Sequence, residues 1–203
     1  PNSIGGTARH YKEYSLDELL SEVRDLWPGC HSVSLTGGEP LMQKDFIKEL
    51  LPSLKKEGMR SYLETNGIFD RHLAEIIDDV DIIAMDFKLP SSTKCRPYWE
   101  EHAAFLRIAR QKEVFIKVVV SSDTQKDDVV RSVELVAGVD PNIPFILQPN
   151  YFDLPAARLP ARQGQAGRQN GALDRCLDYQ DYCRQYLTDV KVMSQMHKMW
   201  KIR

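Results

Sequence analysis

The stretch His31-Ser32-Val33-Ser34-Leu35-Thr36-Gly37-Gly38-Glu39-Pro40 decides how the rest of the chain is read. A short apolar strand runs directly into a paired-glycine turn that carries one carboxylate. Two residues without Cβ let the backbone approach a ligand closely. Pro40 lacks an N–H donor and ends the strand. This is the form of a binding turn at the end of a buried strand, and it recurs along the chain.

Working outward, two hydrophobic periods alternate. Ser15-Leu16-Asp17-Glu18 forms a capping box, followed at helical spacing by Leu16, Leu19, Leu20, Val23 and Leu26. After the 31–35 strand, Phe46, Ile47, Leu50, Leu51 and Leu54 mark a second helix, kinked at Pro52 and closed by Gly58. Strands follow at 60–64, 81–86, 114–120, 144–147 and 190–193. Between them come a short helix capped by Asp70, a helix over 100–110 and a helix opened by Thr124 with Val129, Val130, Val133 and Val136. A last helical stripe carries Leu173, Cys176, Leu177, Gln180, Cys183 and Leu187. The strands read as apolar on both faces, as buried parallel strands do. About six strands alternating with helices predict one α/β domain over 1–203, either a partial barrel or an open doubly wound sheet. Residues 153–171, rich in Ala, Arg, Gln and Gly, read as a surface loop or a lid.

Composition narrows the function. The 203 residues carry 27 Lys plus Arg and 29 Asp plus Glu, so the formal net charge is −2 and nothing favours nucleic acid or an acidic membrane as partner. No apolar run reaches the length of a membrane span. Four cysteines, at 30, 95, 176 and 183, suit neither a zinc finger nor a redox dithiol; the last two read as buried thiols, and so few thiols point to a cytoplasmic protein. The start, Pro1-Asn2-Ser3, resembles no signal peptide and lacks a Met, which leads us to expect a trimmed or partial chain.

In parallel α/β folds the site lies beyond the carboxyl ends of the strands. Those ends are Thr36-Gly37-Gly38-Glu39, Glu64-Thr65-Asn66-Gly67, Asp86-Phe87-Lys88 with Pro90-Ser91-Ser92, Ser121-Ser122-Asp123, Gln148-Pro149-Asn150 and Ser194-Gln195-Met196-His197-Lys198. Asn66-Gly67 alone is a common turn and Lys88 alone a common surface lysine. Together, Glu39, Glu64 and Asp86 with a single lysine, Lys88, would form a polar mouth suited to a zwitterionic ligand.

These residues resemble the radical S-adenosylmethionine superfamily, whose glycine-rich motif is similar to Thr36-Gly37-Gly38-Glu39-Pro40. The subfamily most resembled is that of the 7-carboxy-7-deazaguanine synthases, on Glu64-Thr65-Asn66-Gly67, Asp86-Phe87-Lys88, Leu147-Gln148-Pro149 and Gln195-Met196-His197-Lys198. The resemblance implies a partial (β/α)6 TIM-like barrel lacking its first strand and cluster loop. It assigns S-adenosylmethionine binding to Thr36, Gly37, Gly38, Glu39, Glu64, Asn66, Asp86, Lys88, Ser121 and Gln148, and substrate binding to Gly38, Gln195 and His197. Gly37, Gly38 and Glu39 would receive the methionine ammonium and Lys88 its carboxylate. It also implies a [4Fe–4S] cluster and a Mg²⁺ ion. The superfamily's Cys-x-x-x-Cys-x-x-Cys run has no counterpart here, so cluster ligands are expected upstream of Pro1, and the chain as written is expected to be inactive.

The implied reaction converts 6-carboxy-5,6,7,8-tetrahydropterin to 7-carboxy-7-deazaguanine. The implied partners are that small-molecule pterin, a flavodoxin or ferredoxin as electron donor and, in some members, a second copy as a homodimer. Two rivals stand beside this reading: a glycyl-radical-enzyme activating enzyme, which Asp86-Phe87-Lys88 fits equally well, and a cluster-less module that binds S-adenosylmethionine without reaction.

Overall fold

The computed structural model describes residues 13–151 and 171–194. Six parallel strands form one sheet: β1 (Val33–Leu35), β2 (Ser61–Thr65), β3 (Ile82–Phe87), β4 (Glu113–Val120), β5 (Phe145–Pro149) and β6 (Val190–Val192). Their order in the sheet is their order in the chain. Every neighbouring pair is parallel, with registers such as Leu63↔Ile83, Asp86↔Lys117 and Leu147↔Val192. Sequential parallel order with right-handed crossovers puts all the connecting helices on one face. A doubly wound sheet would reverse its strand order. Of the two architectures open to the sequence, the structure is therefore the barrel type, and β1 to β6 form a partial barrel.

The helices are α1 (Leu16–Leu26), α2 (Lys44–Lys56), α3 (Asp70–Ile76), the single turn α4 (Pro90–Thr93), α5 (Trp99–Ala109), α6 (Lys126–Val139) and α7 (Ala172–Cys183). The capping box forms as expected, Ser15 Oγ accepting from Glu18 N at 3.3 Å while Glu18 accepts from Ser15 N at 2.9 Å. The α2 helix runs on through Pro52 and is closed by Gly58 in the left-handed region, φ +72°. Among the described residues, no helix is long and apolar enough to cross a membrane.

Several expectations are corrected. Asp70 is the first residue of α3, not its cap, which is Phe69. Thr124 lies before α6, and the helix itself opens at Lys126. The α7 stripe is narrower than its periodicity predicts. Cys176, Cys183 and Leu187 are buried, but Leu173 and Leu177 are exposed. Only one flank of that helix meets the sheet. Gly171 is the N-cap of α7; the rest of the 153–171 segment, like Gln195 and His197, lies outside the described residues.

The largest correction concerns the strands, which are mostly apolar on both faces but are not buried on both. Along β4, Val114, Ile116, Val118 and Val120 are buried while Phe115, Lys117 and Val119 are only half-buried. The first set packs under the helices with Leu63, Ile83, Phe87, Phe145 and Leu147 against Leu51, Leu73, Phe105, Leu106, Val133 and Cys176. The other set shares an open face with Tyr62, Glu64, Asp86, Ile146 and Gln148. Helices cover one side only, so only that side must be continuously apolar.

Candidate functional site

The open face and the strand tips meet in a cavity of about 240 Å³. Thr36, Gly37, Gly38, Glu39, Glu64, Thr65, Asn66, Asp86 and Lys88 line it. A groove of about 280 Å³ on the outer surface, between α5 and α6, is slightly larger and is lined by Trp99, Arg107, Arg131 and Glu134 among others. No strand tip reaches it, so the smaller cavity is the candidate site.

The first wall is the 36–39 turn. Gly37 has φ +127°, a conformation that an L side chain rarely adopts. A Cβ built on either Gly37 or Gly38 would meet nothing within 4 Å, so the backbone lies open to a ligand. Glu39 next to it is already engaged. Its Oε1 accepts from Leu41 N at 3.2 Å and from Thr65 Oγ1 at 2.8 Å, and its Oε2 accepts from Asn66 N at 2.8 Å. The carboxylate therefore braces the tip of β1 to the tip of β2. With about four lone-pair positions on a carboxylate, three donors leave room for about one more.

The second wall follows β2. Asn66 Oδ1 accepts from Ile68 N at 3.1 Å and Thr65 Oγ1 accepts from Gly67 N at 3.2 Å. Gly67 is left-handed at φ +67°, and a Cβ there would lie 2.4 Å from Met85 Cε, so a side chain at this turn would be strained and would displace Met85.

The floor holds charges of both signs. Lys88 Nζ pairs with Asp86 Oδ2, and Lys117 Nζ pairs with Glu64 Oε1. Strands β2 and β4 flank β3, so the Glu64–Lys117 pair spans β3 where Ala84, fully buried, offers only a methyl group. Lys88 is, as expected, the one lysine among the described residues that lines the cavity, and Glu64 of that lining is paired with a second lysine, Lys117. Its side chain is 15% exposed against 41% for Lys88, so Lys88 is the cation more open to a ligand. Asp86 Oδ1 is buried and has no hydrogen-bond partner among the described residues. An unpaired buried acceptor costs about 1–3 kcal/mol.

Ser121 and Gln148 do not line this cavity. Ser121 N donates to Thr124 Oγ1 at 2.8 Å, in a cluster where Thr124 Oγ1 also lies 2.6 Å from Ser92 Oγ. That cluster ties the loop after β3 to the loop after β4. Gln148 stands half-buried on the open face of β5. Below the charged pairs, the Tyr62 and Phe115 rings lie 6.1 Å apart at 48°. Burial pushes the Tyr62 phenol up to about 12.

Sequence reasoning missed Lys117 and His102. The alternation in Glu113-Val114-Phe115-Ile116-Lys117 places Lys117 on the same face as Phe115, a signal that was available. His102 lies in step with Phe105, Leu106 and Ala109, one buried stripe of α5. The residues present suit S-adenosylmethionine: carboxylates in the lining for its ammonium, an accessible lysine for its carboxylate and an open glycine turn. They do not suit an iron–sulfur cluster. Cys30 and Cys95 are exposed, and Cys176 and Cys183 are buried with thiols pushed up to about 12 by burial. Among the described residues, no three His, Cys, Asp or Glu side chains are placed to hold a metal.

Comparison with known proteins agrees with this geometry. The Radical SAM superfamily profile matches residues 2–136. A 7-carboxy-7-deazaguanine synthase of Geobacter sulfurreducens is 39% identical over 189 residues, covering 91% of this chain and 70% of that one. A pyruvate formate-lyase-activating enzyme of Staphylococcus aureus is 26% identical over 148 residues, covering 64% of this chain and 59% of that one. Among solved structures, a domain of a pyruvate-formate lyase-activating enzyme from Bacteroides vulgatus superposes with a TM-score of 0.56 at 19% identity, covering 81% of this chain and 99% of that one, a likeness of fold. With the barrel-type sheet and the charged mouth at its strand tips, these matches establish that the chain belongs to the radical SAM superfamily, in the family of the 7-carboxy-7-deazaguanine synthases.

Proposed function

We propose that the chain binds S-adenosylmethionine at the 36–39, 64–66 and 86–88 tips and serves the conversion of 6-carboxy-5,6,7,8-tetrahydropterin to 7-carboxy-7-deazaguanine, with ring contraction and loss of ammonia. The observation that carries this reading is that Asp86, Lys88 and the open Gly37–Gly38 turn line one cavity. The Asp86 carboxylate and the remaining lone pair of Glu39 would receive the cofactor's ammonium. Lys88 turns from Asp86 to the cofactor's carboxylate, and the 37–38 backbone lies against the methionine chain. When bound, that cofactor would supply the chemistry of hydrogen-atom abstraction from the substrate. The protein's part is to bind, orient and exclude water.

Thr36, Glu64 and Asn66 complete the cofactor walls, and Ser121 and Gln148, which lie outside the cavity, would meet only a part of the cofactor that reaches beyond it toward β4 and β5. Gly38, Gln195 and His197 contact the pterin in this reading. A flavodoxin or ferredoxin supplies the electron, the setting is the cytoplasm, and a homodimer is compatible with it. The 39% identity to the Geobacter sulfurreducens 7-carboxy-7-deazaguanine synthase supports this substrate.

The test is anaerobic turnover of the pterin by the reconstituted full protein. Formation of 7-carboxy-7-deazaguanine with cofactor cleavage supports the assignment, and cleavage without consumption of the pterin rejects it. The 26% identity to the Staphylococcus aureus activating enzyme favours the second reading, a glycyl-radical activator. Labelled hydrogen transfer from a partner's glycine would select it.

A further inference from the structure

His102 is fully buried on the sheet-facing stripe of α5, yet it is polar. Its Nδ1 lies 3.0 Å from the carbonyl oxygen of Gly67. A carbonyl only accepts, so Nδ1 carries the hydrogen and Nε2 is left as a bare acceptor. Nε2 has no partner. The ring stacks on Phe87, with centroids 4.5 Å apart and planes within 7°. One side chain therefore touches two strand tips, the 66–67 turn after β2 by a hydrogen bond and the end of β3 by stacking.

The 66–67 turn needs such a hold. Its amides are held from the pocket side, Asn66 N by Glu39 and Gly67 N by Thr65. Gly67 sits in a left-handed conformation pressed against Met85. His102 holds the same turn from the opposite side, through its carbonyl. An apolar side chain of similar volume would fill this space without leaving a ring nitrogen unsatisfied, a penalty of the kind that native cores generally avoid. Packing alone does not account for a histidine here.

We propose that His102 is a positioning residue for the cofactor pocket: by donating Nδ1–H to Gly67 it holds the Asn66–Gly67 wall in register with Glu39. It acts through the turn and does not touch the cofactor. The inference rests on the reading of this cavity as the S-adenosylmethionine site, and preorganisation of that wall is what it contributes to affinity.

Two substitutions separate positioning from packing. His102→Asn keeps an N–H donor near the place of Nδ1 and loses ring volume. His102→Leu keeps volume and loses the donor. Three quantities are measured in the full chain: amide hydrogen exchange, equilibrium binding of S-adenosylmethionine and the thermal midpoint. Positioning predicts that H102L speeds exchange at Asn66, Gly67 and Ile68 by about tenfold while Tyr62 and Leu63 stay protected, and weakens binding by about tenfold. H102N stays within about threefold of the parent in both, although its thermal midpoint is the lower of the two. If binding and turn exchange instead rank with the thermal midpoint, or H102L leaves the turn unchanged, the proposal is overturned. His102→Phe, with a ring and no donor, replaces H102L should that variant not fold. A parent chain that does not bind S-adenosylmethionine would overturn the cofactor reading, and the exchange data would still decide whether His102 holds the turn.

Discussion

The two sides of β4 have been put to opposite uses. Val114, Ile116, Val118 and Val120 disappear beneath helices, while Phe115, Lys117 and Val119 stay half-open toward the charged mouth. The covered side obtains its order from close packing. The open side obtains it from paired charges and turn hydrogen bonds that a ligand can exchange. A single strand can do both because successive side chains point to opposite faces. Stability should therefore be concentrated on one face and binding on the other.

The strongest way to break this contrast is to truncate both faces. Phe145→Ala on the covered side should cost about 3–5 kcal/mol in urea unfolding. Phe115→Ala on the open side should cost about 1 kcal/mol. Equal costs would mean that the open face is packed by something that its half-exposure does not show.

Glu39 lies at the boundary of the two uses and should score on both. Glu39→Gln replaces one acceptor with a donor facing either the Asn66 amide or its partners at Leu41 and Thr65. The expected result is a loss of about 2 kcal/mol in unfolding together with at least about tenfold weaker S-adenosylmethionine binding. A loss of binding with unchanged stability would show that the brace between β1 and β2 is weaker than its three hydrogen bonds imply.

Lys88→Met should sharpen the contrast from the other side. Binding titrations should show about tenfold or more loss of affinity, while urea unfolding moves by less than about 0.5 kcal/mol. A comparable drop in stability would make the Asp86–Lys88 pair structural.

The smallest effect is a pH dependence. Burial holds the His102 imidazole below its ordinary value of 6.5. Other groups act on it more weakly: the Gly67 carbonyl, Glu101 on its own helix and Asp86 favour the charged form, and Lys88 opposes it. The unfolded chain thus binds a proton at a higher pH than the folded one. The stability this residue contributes is complete above about pH 6.5 and is lost as pH falls from there through the lowered folded value. Thermal midpoints between pH 8 and pH 5 should fall more steeply in the parent than in H102L, which has no such group. Parallel curves would show that the ring takes up its proton without cost.

Much of this was legible beforehand. The alternation of periods placed each of the six strands within about two residues, because helix and strand differ in where apolar residues recur. The Ser15 capping box and the Gly58 stop are local chemistry and needed no fold to be read. The tips at Glu39, Glu64, Asp86 and Lys88 were named from their places after strands, and the structure brings all four to one cavity. What escaped was pairing across strands. Lys117 meets Glu64 from 53 positions away, and His102 meets Gly67 from 35 away. The alternation along β4 gives Lys117 its face but not its partner, and nothing local distinguishes His102 from an ordinary core histidine.

The order of residues alone determined which segments would be strands and helices and which polar groups would stand at the strand ends, because periodicity, caps and glycine turns act over a few neighbours. Only the folded sheet decided that the helices lie on a single face, that Glu39 binds the chain's own amides, that Asp86 keeps one oxygen free and that His102 grips the 66–67 turn. Those outcomes depend on strand register and on contacts between distant segments, which exist only once the sheet has assembled.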